Sequence, residues 1–318
     1  MAGLTQLKKD IQFNGRLGGL LTVLKSVAAQ QYQALEETLK VNPALFEALQ
    51  TITGTFDLAR LPHPFTKGGG PVGVIAVTTD SGLLGGLNQQ VVTAALREYR
   101  KEPGTLIVIG KRGTAYVHEQ RVPCREFPGI QEENRRALAE KVRDYALNEV
   151  LQGRLGSLHI AYPRAISFAV QRIEVIQALP CQAWLKGAEA AAPVRSGPVL
   201  MESSVERVLE YAVWVWLAEK LYEVFGSSRL AEFGARAGHL EGSTQELQRR
   251  KLRLMRRYFR ERREVIDRGM RELFAARAIF QSSGTAPEET GRTQIPADGK
   301  AQSAADQLRP RALGNRHG

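Results

Sequence analysis

The stretch TTDSGLLGGLN at 78–88 has the residue types of a ligand-binding loop, because it follows an apolar strand pattern and leads into a helical one. A loop in this position can hold a phosphate on backbone N–H groups. It contains neither a G-x-G-x-x-G fingerprint nor the Lys-Ser/Thr pair of a phosphate-binding loop. The Asp-Ser-Gly triplet at 80–82 resembles a serine-protease nucleophile loop only superficially, since no His and Asp are placed to support it. We therefore interpret the stretch as a tight turn with close strand-to-helix packing.

Other candidates for chemistry are weaker. IGKRG at 109–113 also ends a strand pattern, and a phosphate-binding role for Lys111 and Arg112 is a minor alternative. The histidines lack metal-ligand spacing, and no pair of carboxylates stands out for acid/base catalysis. We predict no catalytic site, no metal site and no cofactor. The five histidines are His63, His118, His159, His239 and His317.

The basic stretch at 249–277 is the most distinctive feature of the chain, with twelve Lys and Arg against four acids. Its apolar residues recur at three- and four-residue steps, which indicates a helix with a coiled-coil-like seam and a cationic exterior. A solvated charged face is the plainest interpretation, and an acidic partner is the functional one. Nucleic acid is a further alternative, but aromatic side chains are not interleaved as stacking platforms. The seam consists of Leu254, Tyr258, Val265, Gly269 and Leu273.

The composition fits one substantial globular core with extended helices. The chain has 318 residues, 43% hydrophobic and 24% charged, with a net charge of +11 and a pI near 9.8, so an anionic partner is expected. Cys124 and Cys181 lack close pairing, and we expect unpaired, inert thiols in a reducing compartment. No signal peptide or membrane-spanning stretch is evident. We expect a protein of the cytoplasm, or one bound to the cytoplasmic side of another structure.

The first 60 residues predict a long helix with apolar residues at heptad a and d spacing, ending near Asn42 and Pro43. Glycines in the middle each cost about 1 kcal/mol relative to Ala, so the helix requires a partner helix. The heptad positions are Leu4, Leu7, Ile11, Asn14, Gly18, Leu21, Lys25, Ala28, Tyr32, Leu35 and Leu39.

A breaker-rich linker at 61–70 is followed by alternating strand and helix patterns over 71–185. This alternation is typical of βαβ units with a parallel sheet. We therefore expect a Rossmann-like α/β domain. Its predicted elements are a strand ending near 79, a helix at 87–101, a strand at 105–109, a helix at 131–152, and strands at 158–162 and 167–176.

A loop is expected at 186–203, and Ser203 with Glu206 has the spacing of a capping box. Helical periodicity continues over 204–280, and the polar segment 281–318 has the composition of a disordered tail. Two terminal helices that each need a partner most simply pair with one another. The predicted fold is therefore a long antiparallel coiled coil of the terminal helices with the α/β domain inserted between them.

Together these segments resemble the gamma subunit of F-type ATP synthases, the central rotor stalk. VTTDSGLLGGLN at 77–88 is similar to the most recognisable motif of that family, and IGKRG at 109–113 follows at the family spacing. LKSVAA at 24–29, AEFGAR at 231–236 and YFRERR at 258–263 also resemble family segments. The motif positions are Asp80, Gly82, Gly85, Gly86 and Asn88.

The chain departs from the family pattern at several places, which suggests a divergent or alternative member. Glycines at 15, 18 and 19 stand where family members carry Lys and Thr, and Gln245 and Glu246 replace an Asp-Asn pair. A tail of 38 residues follows Phe280.

The resemblance implies a non-catalytic subunit without a cofactor. Its partners would be three alpha and three beta subunits, the epsilon subunit and the c-ring. The chain would be peripheral on the cytoplasmic face of the inner membrane, touching the membrane only through the c-ring, and would not bind nucleic acid. Implied contacts with the beta subunit are Arg262 and Arg263, with Lys25 and Arg236 as weaker candidates.

Two other classes remain open from the sequence. The α/β segment alone fits a nucleotide-binding enzyme or oxidoreductase, and the basic helix alone fits an Arg-rich nucleic-acid-binding protein.

Overall fold

The structure, a computed structural model, describes residues 2–39, 44–49, 61–181 and 202–282. The chain divides into two compact units, one up to Glu261 and one from Arg262. The predicted tail lies almost wholly outside the described residues, as does the predicted loop at 186–203. The domain boundaries derived from the sequence stay a prediction.

The first helix, α1, spans Ala2–Thr38. All eleven predicted heptad positions are buried or half-buried, as a seam against one partner requires. Several large apolar residues off the seam are exposed, among them Phe13 and Leu20. The predicted stop at Asn42 and Pro43 lies outside the described residues.

The last helix, α5, spans Val205–Ser282. Its N-terminus corrects the predicted capping box by one residue. The N–H of Arg207 donates to Oγ of Ser204 at 3.4 Å, so Ser204 caps the helix instead of Ser203. Only Ser203 has a Glu three residues later, so the capping-box spacing indicated the wrong one of two adjacent serines. The pKa of Glu206 is lowered by a hydrogen bond to its own backbone and by the Ser204 hydroxyl, which suits an acid at a helix N-terminus.

Helices α1 and α5 pair in an antiparallel direction within the first unit. Near the end of α1, the Leu39 side chain reaches Gly226, and Tyr32 and Leu35 form a small core with Phe233. Nζ of Lys25 lies 2.7 Å from Oε2 of Glu241. Towards the start of α1, Gly15 lies beside Lys251 and Gly3 beside Glu261. Residues earlier in α1 therefore meet residues later in α5, which confirms the predicted antiparallel coiled coil.

In the sequence, the segment between α1 and α5 forms a five-stranded sheet of order β3-β2-β1-β4-β5. Strands β1 to β4 are parallel. They are β1 Val72–Val77, β2 Pro103–Ile109, β3 Arg125–Phe127, β4 Ser157–Ala165 and β5 Gln171–Leu179.

The last strand, β5, differs in direction from the other four strands. β5 runs antiparallel to β4, with Ala165 opposite Gln171. The connection between them is only five residues long, and a parallel neighbour needs a crossover of a dozen residues or more. The strand predicted at 167–176 therefore begins four residues later, after the turn.

Three helices accompany the sheet. Helices α2 Leu87–Tyr99 and α4 Arg135–Leu151 lie within the predicted ranges. Helix α3, Lys111–Glu119, and the edge strand β3 were not predicted. Both are short, and a nine-residue helix with two buried residues has little apolar periodicity.

Strand β1 is buried along its whole length, because both faces of the sheet are covered. Val72, Val74 and Ala76 face a core with α2 and α3. Ile75 and Val77, on the alternate positions, face a second core. That second core contains α4 and the first turns of α5, including Leu209, Leu217 and Phe225. The start of α5 is thus part of the α/β domain, while its later turns pair with α1.

Candidate functional site

The carboxyl ends of β1 and β2 are the place where an open α/β sheet holds a ligand. Here the chain fills that place with its own groups. The Asp80 carboxylate accepts from the N–H of Lys111 at 2.8 Å, and the Thr79 carbonyl accepts from the N–H of Arg112 at 3.0 Å. The Thr78 hydroxyl accepts from the N–H of Gly113 at 3.1 Å. Three N–H groups of the α3 N-terminus therefore bind protein oxygens.

Glycines let these groups approach one another. A Cβ on Gly113 would lie 2.2 Å from Oγ1 of Thr78, and one on Gly129 would lie 2.5 Å from the Asp80 carboxyl carbon. The Arg112 guanidinium lies over Gly82, 3.2 Å from where a Cβ would stand. Lys111 and Arg112, the minor phosphate-binding candidates, thus have backbone N–H groups that are already bound. The site is packed as a junction between β1 and α3.

The GLLGGLN motif forms the tight turn that the sequence predicted. Asn88 is buried, accepts from the N–H of Thr79 at 3.2 Å and donates to its hydroxyl at 3.0 Å. Gly85 and Gly86 have φ of +59° and +92°, in the left-handed region that favours glycine. Leu84 is buried. The motif thereby fixes the entry of α2 relative to β1.

The motif and the β4–β5 turn both contact α5. Gly85 lies beside His239, since a Cβ on the glycine would be in van der Waals contact with the imidazole ring, 3.6 Å from Nδ1. A Cβ on Gly234 would lie 2.6 Å from the Phe168 carbonyl oxygen and from Nε2 of Gln171. Phe168 also packs edge-on against Tyr32 of α1, with ring centroids 5.0 Å apart. The α/β domain is therefore anchored to the helical pair at two points, and Gly234 permits the closer one.

A buried ionic cluster lies next to this anchor. The Glu232 side chain is 2% exposed and forms ion pairs with Arg229 and Arg236. Both guanidinium groups also lie over the Phe233 ring, at 4.7 and 5.9 Å from its centroid. The cluster holds a buried carboxylate with two cations, which fixes α5 where the hairpin meets it.

The four predicted contact residues have different surroundings. Lys25 is paired with Glu241 across the helical pair, and Arg236 is paired with Glu232. Arg262 and Arg263 are exposed, and neither forms an ion pair within the described residues. Their role in binding a partner stays a prediction.

The second unit exposes the rest of the predicted seam. Every residue from 262 to 279 is exposed except Gly269, which is half-buried. Leu254 and Tyr258 in the first unit are half-buried, whereas Val265 is 43% and Leu273 69% exposed. The other large apolar side chains exposed in this unit are Ile266, Met270, Phe274 and Ile279.

The fold also assembles a group that the sequence did not suggest. Ligand atoms of His118, Cys124 and Glu126 lie within 4.8 Å of one another. The spacing H-x₅-C-x-E matches no common metal motif. The alternation of Cys124 and Glu126 on one strand face was the available signal, but β3 is only three residues long and was not recognised.

No helix among the described residues is long and apolar enough to cross a membrane.

Comparisons with known proteins identify similar sequences among ATP synthase chains. The family model described as ATP synthase matches residues 4–278. The ATP synthase gamma chain of Symbiobacterium thermophilum is 27% identical over 262 residues, covering 80% of this chain and 90% of the relative. The ATP synthase gamma chain of Clostridium acetobutylicum is 26% identical over 250 residues, covering 76% and 86%.

Solved structures share the fold. A chain of the Euglena gracilis mitochondrial ATP synthase, OSCP/F1/c-ring, superposes with a TM-score of 0.65 at 16% identity, covering 91% of this chain and 99% of that one. A chain of the Tetrahymena thermophila mitochondrial ATP synthase central stalk/c-ring superposes with a TM-score of 0.53 at 17% identity, covering 70% and 99%. With the family model spanning both terminal helices and the α/β domain between them, the chain belongs to the ATP synthase gamma-chain family.

Proposed function

We propose that this chain is the central stalk of a membrane-bound rotary ATP synthase, coupling rotation of an ion-driven c-ring to conformational changes in catalytic beta subunits. Its partners are three alpha and three beta subunits around the helical pair, and the epsilon subunit and c-ring at the α/β domain. The solved relatives are chains of assemblies named as F1 with a c-ring and as a central stalk with a c-ring.

The exposed apolar surface of residues 265–274 is the observation that carries this proposal. Five large apolar side chains there are 43 to 69% exposed: Val265, Ile266, Met270, Leu273 and Phe274. Apolar patches of this kind on a soluble chain mark a surface that binds another protein. A surrounding ring of subunits covers all sides of a helix at once, whereas a single partner helix covers only one stripe.

A non-catalytic role is supported by the α3 N-terminus. A nucleotide phosphate bound at this helix N-terminus would require the N–H groups of Lys111, Arg112 and Gly113, which bind Asp80, Thr79 and Thr78. Displacing them would open the junction between β1 and α3. Within the proposal, the motif holds the foot of the stalk rigid and nucleotide chemistry belongs to the beta subunits.

The basic surface suits an acidic lever on the partner. Residues 249–261 hold seven basic residues against one acid. Arg262 and Arg263 are exposed, so they are the leading candidates for contacts with a beta subunit. Lys25 and Arg236 are weaker because each already has an acidic partner in the chain. Exposed ion pairs contribute about 0–1 kcal/mol each, so torque is shared among many contacts.

The same proposal places the protein on the cytoplasmic face of the membrane as a peripheral subunit, attached only through the c-ring. The helical pair, with residues 1–60 and 204–280, forms the shaft, and residues 71–185 form the foot. The linker at 61–70 and the loop at 186–203 join these parts, and the tail at 281–318 is dispensable for assembly.

Co-expression with the alpha and beta subunits of the same genome tests the assignment. A tagged chain should co-purify as one copy with three of each, measured by native mass spectrometry. Recovery of the chain without either subunit, under conditions where alpha and beta fold, would contradict the proposal. Micromolar binding of ATP or NAD by the isolated chain would favour the nucleotide-binding enzyme. Steeply salt-dependent binding to duplex DNA would favour the nucleic-acid-binding protein.

A further inference from the structure

Three side chains that the proposed function does not use converge at the edge of the sheet. Nε2 of His118 lies 3.1 Å from Oε1 of Glu126. Sγ of Cys124 completes the group, with all three ligand atoms within 4.8 Å of one another. Among the described residues, this is the one such group of three His, Cys, Asp or Glu side chains.

The local backbone explains the convergence. His118 stands in the last turn of α3, and the chain reverses through Arg121, whose φ is +56°. The N–H of Arg121 donates to the carbonyl of His118 at 2.9 Å, which tightens the turn. Cys124 immediately precedes β3 and Glu126 lies within it, two residues apart on one face. That face is turned towards the end of α3.

The opposite face of the strand is engaged elsewhere. The Arg125 guanidinium lies 5.4 Å from the centroid of the Tyr145 ring and 5.8 Å from that of Phe127. The nearest cation in sequence therefore points away from the three ligand atoms. Within the described residues, Glu126 has His118 as its ion-pair partner and no arginine or lysine competes for its carboxylate.

The ligand atoms suit a borderline divalent metal. Zn²⁺ binds Cys sulfur at about 2.3 Å and His nitrogen or carboxylate oxygen at about 2.0–2.2 Å, so tetrahedral ligand atoms lie about 3.3–3.7 Å apart. The separations here are within reach of that geometry after a small shift of exposed side chains. A thiolate and a carboxylate also neutralise the two charges of the ion. Mg²⁺ and Ca²⁺ favour oxygen ligands and do not fit this set.

We propose that His118, Cys124 and Glu126 form a binding site for a divalent transition-metal ion, with Zn²⁺ as the best-suited ion. His118 and Glu126 are 58% and 52% exposed, so the fourth position is open to water. The bound ion would link the edge strand β3 to the end of α3. Burial and the nearby Glu126 raise the pKa of the Cys124 thiol, so the thiol carries its proton before the metal binds. Because the metal binds the thiolate, a proton is released on binding.

Cobalt titration of the purified full-length chain tests the site directly. Co²⁺ in place of Zn²⁺ should give a near-ultraviolet thiolate-to-cobalt absorption band that saturates at one ion per chain. Added ZnCl₂ should abolish the band by displacement. Absence of a thiolate band in the folded, reduced chain would overturn the proposal.

Single variants identify the ligands. Cys124→Ser should remove the band, and His118→Ala and Glu126→Gln should each weaken Zn²⁺ binding by more than about tenfold, measured by competition with a chromophoric chelator. Unchanged affinity in both His118→Ala and Glu126→Gln would refute the three-ligand site even if the thiol binds metal. Far-UV circular dichroism of each variant verifies folding.

Two matched variants control for other ligands. Cys181→Ser removes the other thiol, which is 3% exposed and has a pKa raised by burial to about 12, so the band should persist. His239→Ala removes an exposed histidine of α5, and Zn²⁺ affinity should be unchanged. Loss of the band in Cys181→Ser with the band retained in Cys124→Ser would assign the metal elsewhere and contradict the proposal. Metal binding at these three side chains does not require assembly into an ATP synthase.

Discussion

The two parts of α5, residues 205–261 and 262–282, both carry apolar residues at helical spacing but differ in what covers them. Leu209, Leu217 and Phe225 in the first part are fully buried by the sheet and α4. Leu273 and Phe274 in the second part are 69% and 65% exposed. Apolar periodicity therefore identifies a helix with a partner, but does not say whether the partner belongs to the same chain.

The two parts of α5 also differ in charge. Most of the excess positive charge of residues 249–277 lies in 249–261, which contain seven basic residues and one acidic residue. Residues 262–282 contain five basic and three acidic residues. Arg253 and Arg257 find acidic partners on α5 itself, Glu246 and Glu261, at 2.8 Å each. Most of the positive charge thus lies in the stretch that pairs with α1, whereas most of the exposed large apolar side chains lie after Glu261.

The largest difference in stability is expected when a phenylalanine is replaced by alanine, once in each part of α5. Phe225→Ala should lower the free energy of unfolding of the isolated chain by about 3–5 kcal/mol, because it opens a cavity in the main core. Phe274→Ala should change it by less than about 0.5 kcal/mol, because the ring is already exposed. Urea unfolding followed by circular dichroism measures both.

Phe274→Ala should have its main effect on assembly with the other subunits. If other subunits cover residue 274, Phe274→Ala should weaken binding of the chain to alpha and beta subunits. A large loss of stability from Phe274→Ala in the isolated chain would show that its own residues cover the ring, and the contrast between the two parts would be lost.

The ionic cluster in the first part is expected to contribute less. Glu232→Gln keeps the size of the side chain but removes the charge that Arg229 and Arg236 share, and should cost about 2 kcal/mol. Glu264→Gln in the second part changes an exposed carboxylate and should be nearly neutral. Equal unfolding midpoints for the two variants would mean that the buried cluster does not stabilise α5.

Two glycine-to-alanine substitutions in α5 should change the stability of the chain in opposite directions. Gly234→Ala should destabilise the chain by about 1–2 kcal/mol, because the new methyl group clashes with the Phe168 carbonyl and displaces the hairpin. Gly242→Ala has no atom within 4 Å of the new group, so helix propensity should stabilise it by up to about 1 kcal/mol. Thermal unfolding compares them. Stabilisation by both variants would remove the hairpin contact as a constraint on α5.

The smallest effect is a pH dependence across the helical pair. The pKa of Glu241 is lowered, first by the hydrogen bond from Lys25 and then by that from Gln245. Folding therefore gains stability from the ionised carboxylate above its ordinary pKa of 4.5, and loses it as the pH falls through the lowered folded value. Thermal midpoints of the wild type and Glu241→Gln should differ at pH 7, and the difference should shrink as the pH falls below the ordinary pKa of the carboxyl group. A constant difference down to pH 3 would contradict the assigned cause.

Much of the fold follows from the sequence because burial imposes a period. The α1 heptads from Leu4 to Leu39 coincide with the least exposed residues of that helix, since one partner covers one stripe. The direction of β5 was not predictable from its alternation, which is the same in parallel and antiparallel strands. The short turn before Gln171 decides the direction, and its length is clear only once the strand ends are known.

The site was less predictable because it depends on contacts between distant residues. No pattern in the sequence sets the register between α1 and α5, so the pairing of Lys25 with Glu241 was not foreseen. The role of Asp80 at the α3 N-terminus required α3 itself, which was missed. His118 and Cys124 meet only because the chain reverses at Arg121. The motif was recognisable, whereas its partners depend on the tertiary fold.

Single-molecule rotation tests the central claim most directly. The chain, with a bead attached through Glu102→Cys in a Cys124→Ser background, would be assembled with surface-bound alpha and beta subunits; Glu102 is exposed in the α/β domain. A central stalk predicts sustained rotation in one direction that requires ATP and stops when it is removed. A stable complex that hydrolyses ATP while the attached bead shows no directed rotation would contradict the account.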